Sequence, residues 1–328
     1  MYKRQGRDRP RRPHQARQRG RPMTTPPQHP APPQHAPQAQ AAPAAAQPQG
    51  YWPGQAPLGG YVSPIPVRRA TLADAILSEW TKIRSVRSTM WTLGTMIVLT
   101  LGIGFLAAGL ASSTDSAING TPLPIFGLYG VMLGIICVIT LGVLAISVEY
   151  GTGLIRTTLT ACPARARVLT AKAIVFFLLT FAITLVCTAL VAAVDSALLS
   201  DQVTLKPTGA EWLRATVGVS LYVALTGLVS LAVGQLVRHS AGAITIMLGV
   251  LLLPYVMAMF MFSEGLSDLR SVLIEYSIPT QLIGLYIPDS GLDAIGDGPT
   301  GWIPLAIIGG AAVVALGGAY ASLLKRDA

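Results

Sequence analysis

Residues Ile125 to Val148 read IFGLYGVMLGIICVITLGVLAISV, twenty-four positions without one Asp, Glu, Lys, Arg or His. About 20 apolar residues in a helix cross a hydrocarbon core of about 30 Å, so this stretch is long enough to span a membrane. Five others are free of charge in their centres and of similar length: Met90 to Leu110, Ala171 to Val194, Ala215 to Val237, Ala241 to Phe262 and Trp302 to Leu324. In lipid every backbone N–H and C=O must find its partner inside the segment, and the ten-residue alternation of a membrane barrel is absent. The expected fold is an all-α integral membrane protein with six transmembrane helices.

Composition agrees. The chain of 328 residues is 52% hydrophobic and only 12% charged, with a mean hydropathy of +0.54, values foreign to soluble domains. A net charge of +9 raises the question of nucleic acid, but residues 1–22 hold nine Lys or Arg and one Asp, leaving +1 for the rest. The excess belongs to the tail, and nucleic acid is not an expected partner. Residues 1–67 are rich in Pro, Gln, Ala and Arg without apolar periodicity and are expected to be a disordered basic cytoplasmic tail. No secretory signal is expected, because some 89 polar or mixed residues precede the first span. Cys137, Cys162 and Cys187 are odd in number and lack CxxC spacing, so they read as structural.

From Ala70 to Thr89 the pattern becomes helical, with Leu72, Ile76, Trp80, Ile83, Val86 and Met90 recurring every three or four residues. Asp74, Glu79, Lys82, Arg84 and Arg87 fall elsewhere around the helix. This describes an amphipathic interfacial helix leading into the first span, with Trp80, Lys82, Arg84 and Arg87 as membrane-surface anchors to the lipid bilayer. Basic residues set the orientation: twelve Lys or Arg, from Arg68 to Arg326, fall on one side, and Lys206, Arg214 and Arg270 on the other. Asp195 counts among the acids of that second side. The positive-inside bias then places both termini in the cytoplasm.

Ionisable residues in the middle of spans mark ion and proton paths. None is expected here, and the one strongly polar side chain well inside a span, Gln235, reads as a helix-end cap or a helix contact. No HExxH motif, paired carboxylate set or Ser/His arrangement suggests an enzyme, and no Gly-Lys dipeptide exists to form a phosphate-cradling loop. Three acids after span five, Asp289, Asp293 and Asp297, recur every four residues, which does not match the alternate-residue ligands of a calcium loop. No catalytic, cofactor or metal site is expected. Gly130 with Gly134, and Ala311, Ala315 and Ala319, are small residues at intervals that let helices approach, within the chain or across a dimer seam.

The most informative loop is EYGTGLIRTTLTACPARARVLTAK, Glu149 to Lys172. Gly151 and Gly153 loosen the chain after span two, Thr152 can cap a following helix, and Leu154, Ile155, Thr158, Leu159 and Cys162 share one helical face. Arg156, Thr157 and Thr160 lie around the other face, and Pro163 ends the helix. Arg165, Arg167 and Lys172 follow, the last two read as anchors to phosphate headgroups.

This loop, with SEWTKIRSVRSTMWTL at Ser78 to Leu93, resembles the permease subunits of bacterial ABC-2 type transporters. The family pattern of Glu, Gly, short helix, Pro, basic residues and Lys maps onto Glu149, Gly151 or Gly153, Arg156 to Leu159, Pro163, Arg165 with Arg167, and Lys172. The resemblance covers about Ala70 to Ala328 and leaves the tail outside. It implies a six-span permease domain over residues 68–328 in a bacterial plasma membrane, and two such subunits, as a homodimer or heterodimer, around one export path. A separate cytosolic ABC ATPase carries the ATP and Mg, and the helix near Leu154 to Cys162 is its coupling contact. The resemblance also implies a short outward helix between spans five and six, supported by Leu266, Leu269, Leu273 and Ile274 before Pro279. An ATP-independent channel, or a membrane scaffold or sensor accessory, also accommodates neutral spans.

Overall fold

A computed structural model describes residues 71–113, 123–161, 164–200, 202, 207–287 and 298–326. The expectation of a disordered tail falls on residues outside these, as do Cys162, Pro163, Asp289, Asp293 and Asp297. Residues Val67–Ala328 form one unit by their internal contacts.

The described residues contain helices and no strand. Helix α1 (Leu72–Ser85) starts on a capping box: the Thr71 hydroxyl accepts from the Asp74 N–H, and the Asp74 carboxylate accepts from the Thr71 N–H at 2.8 Å. Val86 is extended and breaks the chain direction, and α2 (Arg87–Ser112) begins at once. The interfacial helix is thus shorter than expected, and Arg87 opens the span. After α2 come α3 (Phe126–Gly151), the short α4 (Leu154–Ala161) and α5 (Arg165–Leu199). A short α6 (Gly209–Leu213) runs through a π turn (Arg214–Gly218) into α7 (Val219–Val237), followed by α8 (Ser240–Met259). Among the described residues between α8 and α11 (Ile303–Arg326) there are two short α-helices, α9 (Ser267–Glu275) and α10 (Ile278–Tyr286), where one was expected. Pro279 lies in the first turn of α10, where proline's missing N–H has no helical partner to lose, so it begins a helix rather than ending one.

Six helices are long and apolar enough to cross a membrane: α2, α3, α5, the continuous α6–α7, α8 and α11. The chain is a multi-pass helical membrane protein. Helix α5 has 35 residues, about 52 Å at 1.5 Å per residue, so it outruns a core of about 30 Å at its ends.

Helices α3 and α7 lie at the centre of the bundle. Val138, Ile139 and Val143 of α3 meet Tyr222, Val223 and Leu231 of α7 in one buried apolar cluster. Glycines allow the close approaches. A Cβ on Gly130 would lie 2.3 Å from the carbonyl oxygen of Thr100 in α2, and one on Gly142 would lie 2.7 Å from that of Gly227 in α7. The Gly130 and Gly134 pair therefore packs within the chain, against α2. In α11, Ala319 is buried and Ala315 packs on the core, while Ala311 is exposed.

Candidate functional site

The chain leaves α3, makes α4 and enters α5 at one end of the bundle, and α1 lies at that same end. The turn follows from local chemistry. Gly151 ends α3, the Thr152 N–H bonds back to the Val148 carbonyl, and Gly153 takes a left-handed φ of 74°. A residue with a Cβ pays a steric penalty in that region, so a glycine here closes the helix without strain. The Thr152 hydroxyl also donates to Val148, at 2.7 Å. It finishes α3 instead of capping α4 as the sequence suggested.

In α4, Leu154, Thr157 and Thr160 are exposed, whereas Ile155 and Thr158 are half-buried. The Ile155 side chain lines a small cavity with Glu149, Arg165, Lys172, Gln235 and Leu323. Half-buried Ile155 helps to seat α4, while its exposed face carries Leu154 together with Thr157 and Thr160, and the Thr157 hydroxyl donates back to the Leu154 carbonyl at 2.8 Å. Nothing is described for the side chains of Arg156 and Leu159. Arg165 starts α5 and is half-buried at the cavity rim.

Four charges from three helices meet beside α4. The Lys172 ammonium donates to Glu79 Oε2 at 2.6 Å and to Glu149 Oε1 at 2.9 Å. The Lys82 ammonium donates to Glu79 Oε1 at 2.7 Å and to Glu149 Oε1 at 3.0 Å. Two carboxylates and two ammonium groups thus alternate in a ring of net zero charge, tying α1, the end of α3 and the start of α5 together. Glu79, Glu149 and Lys172 are buried, at 4%, 7% and 5% exposed. Such charges are stable out of water only when each is met by its opposite, which this ring provides. Burial alone would lower the Lys82 ammonium's affinity for its proton, but the hydrogen bonds and charges of Glu79 and Glu149 outweigh it and hold Lys82 above the usual lysine range.

The ring changes the reading of the anchors. Lys172, expected at the headgroups, turns its ammonium inward to two carboxylates, because burying it unpaired would cost several kcal/mol. Lys82 is engaged in the same ring from a half-exposed position. Trp80, Arg84 and Arg87 are exposed and Arg167 is half-buried, positions from which side chains reach a bilayer surface. On α1 the face turned to the protein is centred on Glu79, while Leu72, Leu77 and Trp80 are exposed. The apolar stripe read from the sequence is thus only partly turned inward.

The same end is closed by α7. Gln235 donates to the Tyr150 hydroxyl at 2.6 Å, and the Arg238 guanidinium lies 4.9 Å from the centre of the Tyr150 ring. Of the two roles expected for Gln235, this is the helix contact, between α7 and α3. On α11, the Tyr320 hydroxyl meets that of Thr170 at 2.6 Å, so α5 is held from both sides.

No protein-family model matches the chain, and no curated protein matches it. The site must therefore be interpreted from its own geometry. Among the described residues no group of three His, Cys, Asp or Glu is placed to hold a metal, and Cys137 and Cys187 are free thiols. The ring's carboxylates are bound to ammonium groups, and it fixes the relative positions of α1, α3 and α5 beside α4. Sequence reading missed it because Glu79 and Lys172 are 93 positions apart. The one available signal was that Glu79 and Lys82 stand three apart on one helix while Glu149 and Lys172 bracket the loop.

Proposed function

We propose that this chain is the permease subunit of an ATP-driven transporter of the ABC-2 type, in which α4 is the contact for a separate cytosolic ATPase. The observation that carries this reading is the ion ring of Glu79, Lys82, Glu149 and Lys172, which joins α1, α3 and α5 at the point where α4 stands exposed. A helix of eight residues is about 12 Å long, enough to seat in a groove of a partner. With its flanks clamped by ion pairs, a displacement of α4 is passed to α3 and α5 together and is not absorbed by a loose loop.

On this reading the α4 end faces the cytoplasm of a bacterial cell, as the basic-residue bias suggests, and both termini lie there. Two copies of the six-span unit, or this chain and a similar one, enclose the path. ATP and Mg bind to the partner, consistent with the lack of any Gly-Lys phosphate loop in this sequence. Spans without charged residues at their centres suit the export of a large or amphipathic substrate.

The test is purification of the full chain with a co-expressed candidate ATPase from the same chromosome neighbourhood. The reading expects co-purification, ATPase stimulation, and loss of both on charge reversal at Arg156 and Arg165. Unchanged association and transport in those variants would remove α4 and its flank from the coupling role. Solute flux in proteoliposomes without nucleotide would instead favour a channel.

A further inference from the structure

At the opposite end of the bundle, α5 carries a buried acid whose surroundings differ from those of the ring. Asp195 lies four residues before the end of α5 and is 0% exposed. Neither carboxylate oxygen has a hydrogen-bond partner, in contrast to the ring at the other end. The Tyr286 hydroxyl on α10 is likewise buried and unpartnered. It lines a small cavity with Gly127 of α3 and with Thr188, Val191 and Ala192 of α5. Ala192 is three residues before Asp195, on the same helical face.

An ionised carboxylate out of water with no counter-charge costs several kcal/mol, so something neutralises it. Arg214, in the π turn packed against α5, is one basic residue at this end, and among the described residues no ion pair joins it to Asp195. A metal ion is disfavoured by ligand number: calcium and magnesium take six or more oxygens, and the described acids form no cluster of three. We propose that Asp195 is a proton-binding site, neutral while α2, α3, α5 and α10 are closed around it and ionised when water enters through the Tyr286 cavity.

Tyr286 is the titratable group whose charge is coupled to that of Asp195. Burial first, and then the Asp195 charge, push its phenol well above the usual range, so it stays a neutral hydroxyl able to donate to the carboxylate once the site opens. Ionised Asp195 resists reburial, so acidity on the α10 side of the membrane favours the closed arrangement and alkalinity the open one. The inference stands apart from the ATPase reading, since it concerns a different end of the bundle.

The experiment uses the full chain in lipid nanodiscs and records its infrared spectrum and thermal stability as pH is raised. A protonated-carboxyl band is expected in the wild type at neutral pH, disappearing on alkalinisation and absent from Asp195→Asn. Tyr286→Phe should keep the band and raise the pH at which it disappears, because the open, ionised site loses its donor. While the folded chain holds one extra proton, its folded-to-unfolded ratio should fall about tenfold per pH unit relative to Asp195→Asn. Identical carboxyl bands in the wild type and Asp195→Asn would overturn the proposal. So would stabilisation of the wild type by sodium over choline with no response to pH, which identifies a metal ion instead. If Asp195→Asn does not assemble, the wild-type titration decides: the absence of a band that disappears with rising pH overturns the proposal.

Discussion

The Lys172 ammonium lies 2.6 Å from the Glu79 carboxylate, joining the first helix of the bundle to the start of α5 across 93 residues of chain. With Lys82 and Glu149 it closes a ring in which every charge has an opposite neighbour. Removing one member leaves the others buried and uncompensated, which costs about 3–5 kcal/mol for a buried pair. Lys172→Met should therefore lower the melting temperature of the purified protein sharply, whereas Lys172→Met with Glu149→Leu should recover part of the loss. If the single variant melts like the wild type, the ring does not hold α1 to α5.

The ring also has a pH signature. Lys82 is held above its ordinary range in the folded chain, so its contribution is complete below the unfolded lysine value of about 10.4 and is lost as pH rises through the folded value. The wild type should thus show no loss from this source between neutral pH and about pH 10, and a loss above it that is smaller in Lys82→Gln. Melting curves in a series of alkaline buffers measure this directly.

Gly130 and Gly102 make a matched pair of tests. A Cβ at Gly130 would meet the Thr100 carbonyl at 2.3 Å, and the backbone of α2 has no side chain to swing aside, while a Cβ at Gly102 meets nothing within 4 Å. Gly130→Ala should push α2 and α3 apart and cost roughly 1–3 kcal/mol, as overpacking does. Gly102→Ala should be neutral or stabilising by up to about 1 kcal/mol, because alanine favours the helix. Thermal melts of both variants check the pair, and equal effects would contradict the close α2–α3 contact.

Gly153 sits at a left-handed φ of 74° with open space around it. Gly153→Ala then meets no clash but bears a conformational penalty of about 1–2 kcal/mol. The expected result is faster hydrogen exchange confined to the end of α3 and α4, with the six spans unchanged. Uniformly faster exchange would mean that the turn supports the whole bundle.

Much of this architecture was written in runs of apolar residues. Ile125 to Val148 is long enough and uniform enough that α3 had no alternative, and Gly151 and Gly153 marked its end. What hydropathy could not show was where helices continue past the apolar stretch. Asp195 was placed just outside a span and Lys172 at the very start of one because a charge lowers hydropathy, yet α5 extends past both, and the packing of α1, α2, α3 and α7 against it hides them. The π turn at Arg214–Gly218 gave no periodic signal, and α9 and α10 were merged because Pro279 serves equally as a stop or a start. The ring escaped because no local pattern relates Glu79 to Lys172.

Docking of an ATPase on α4 can be read from a photo-crosslinking residue placed at exposed Thr157 in the full chain in living cells. One dominant adduct is expected, whose partner, identified by mass spectrometry, contains a phosphate-binding loop, and whose yield changes when cellular ATP is depleted. Adducts formed only with lipid or with a second copy of this chain would contradict it.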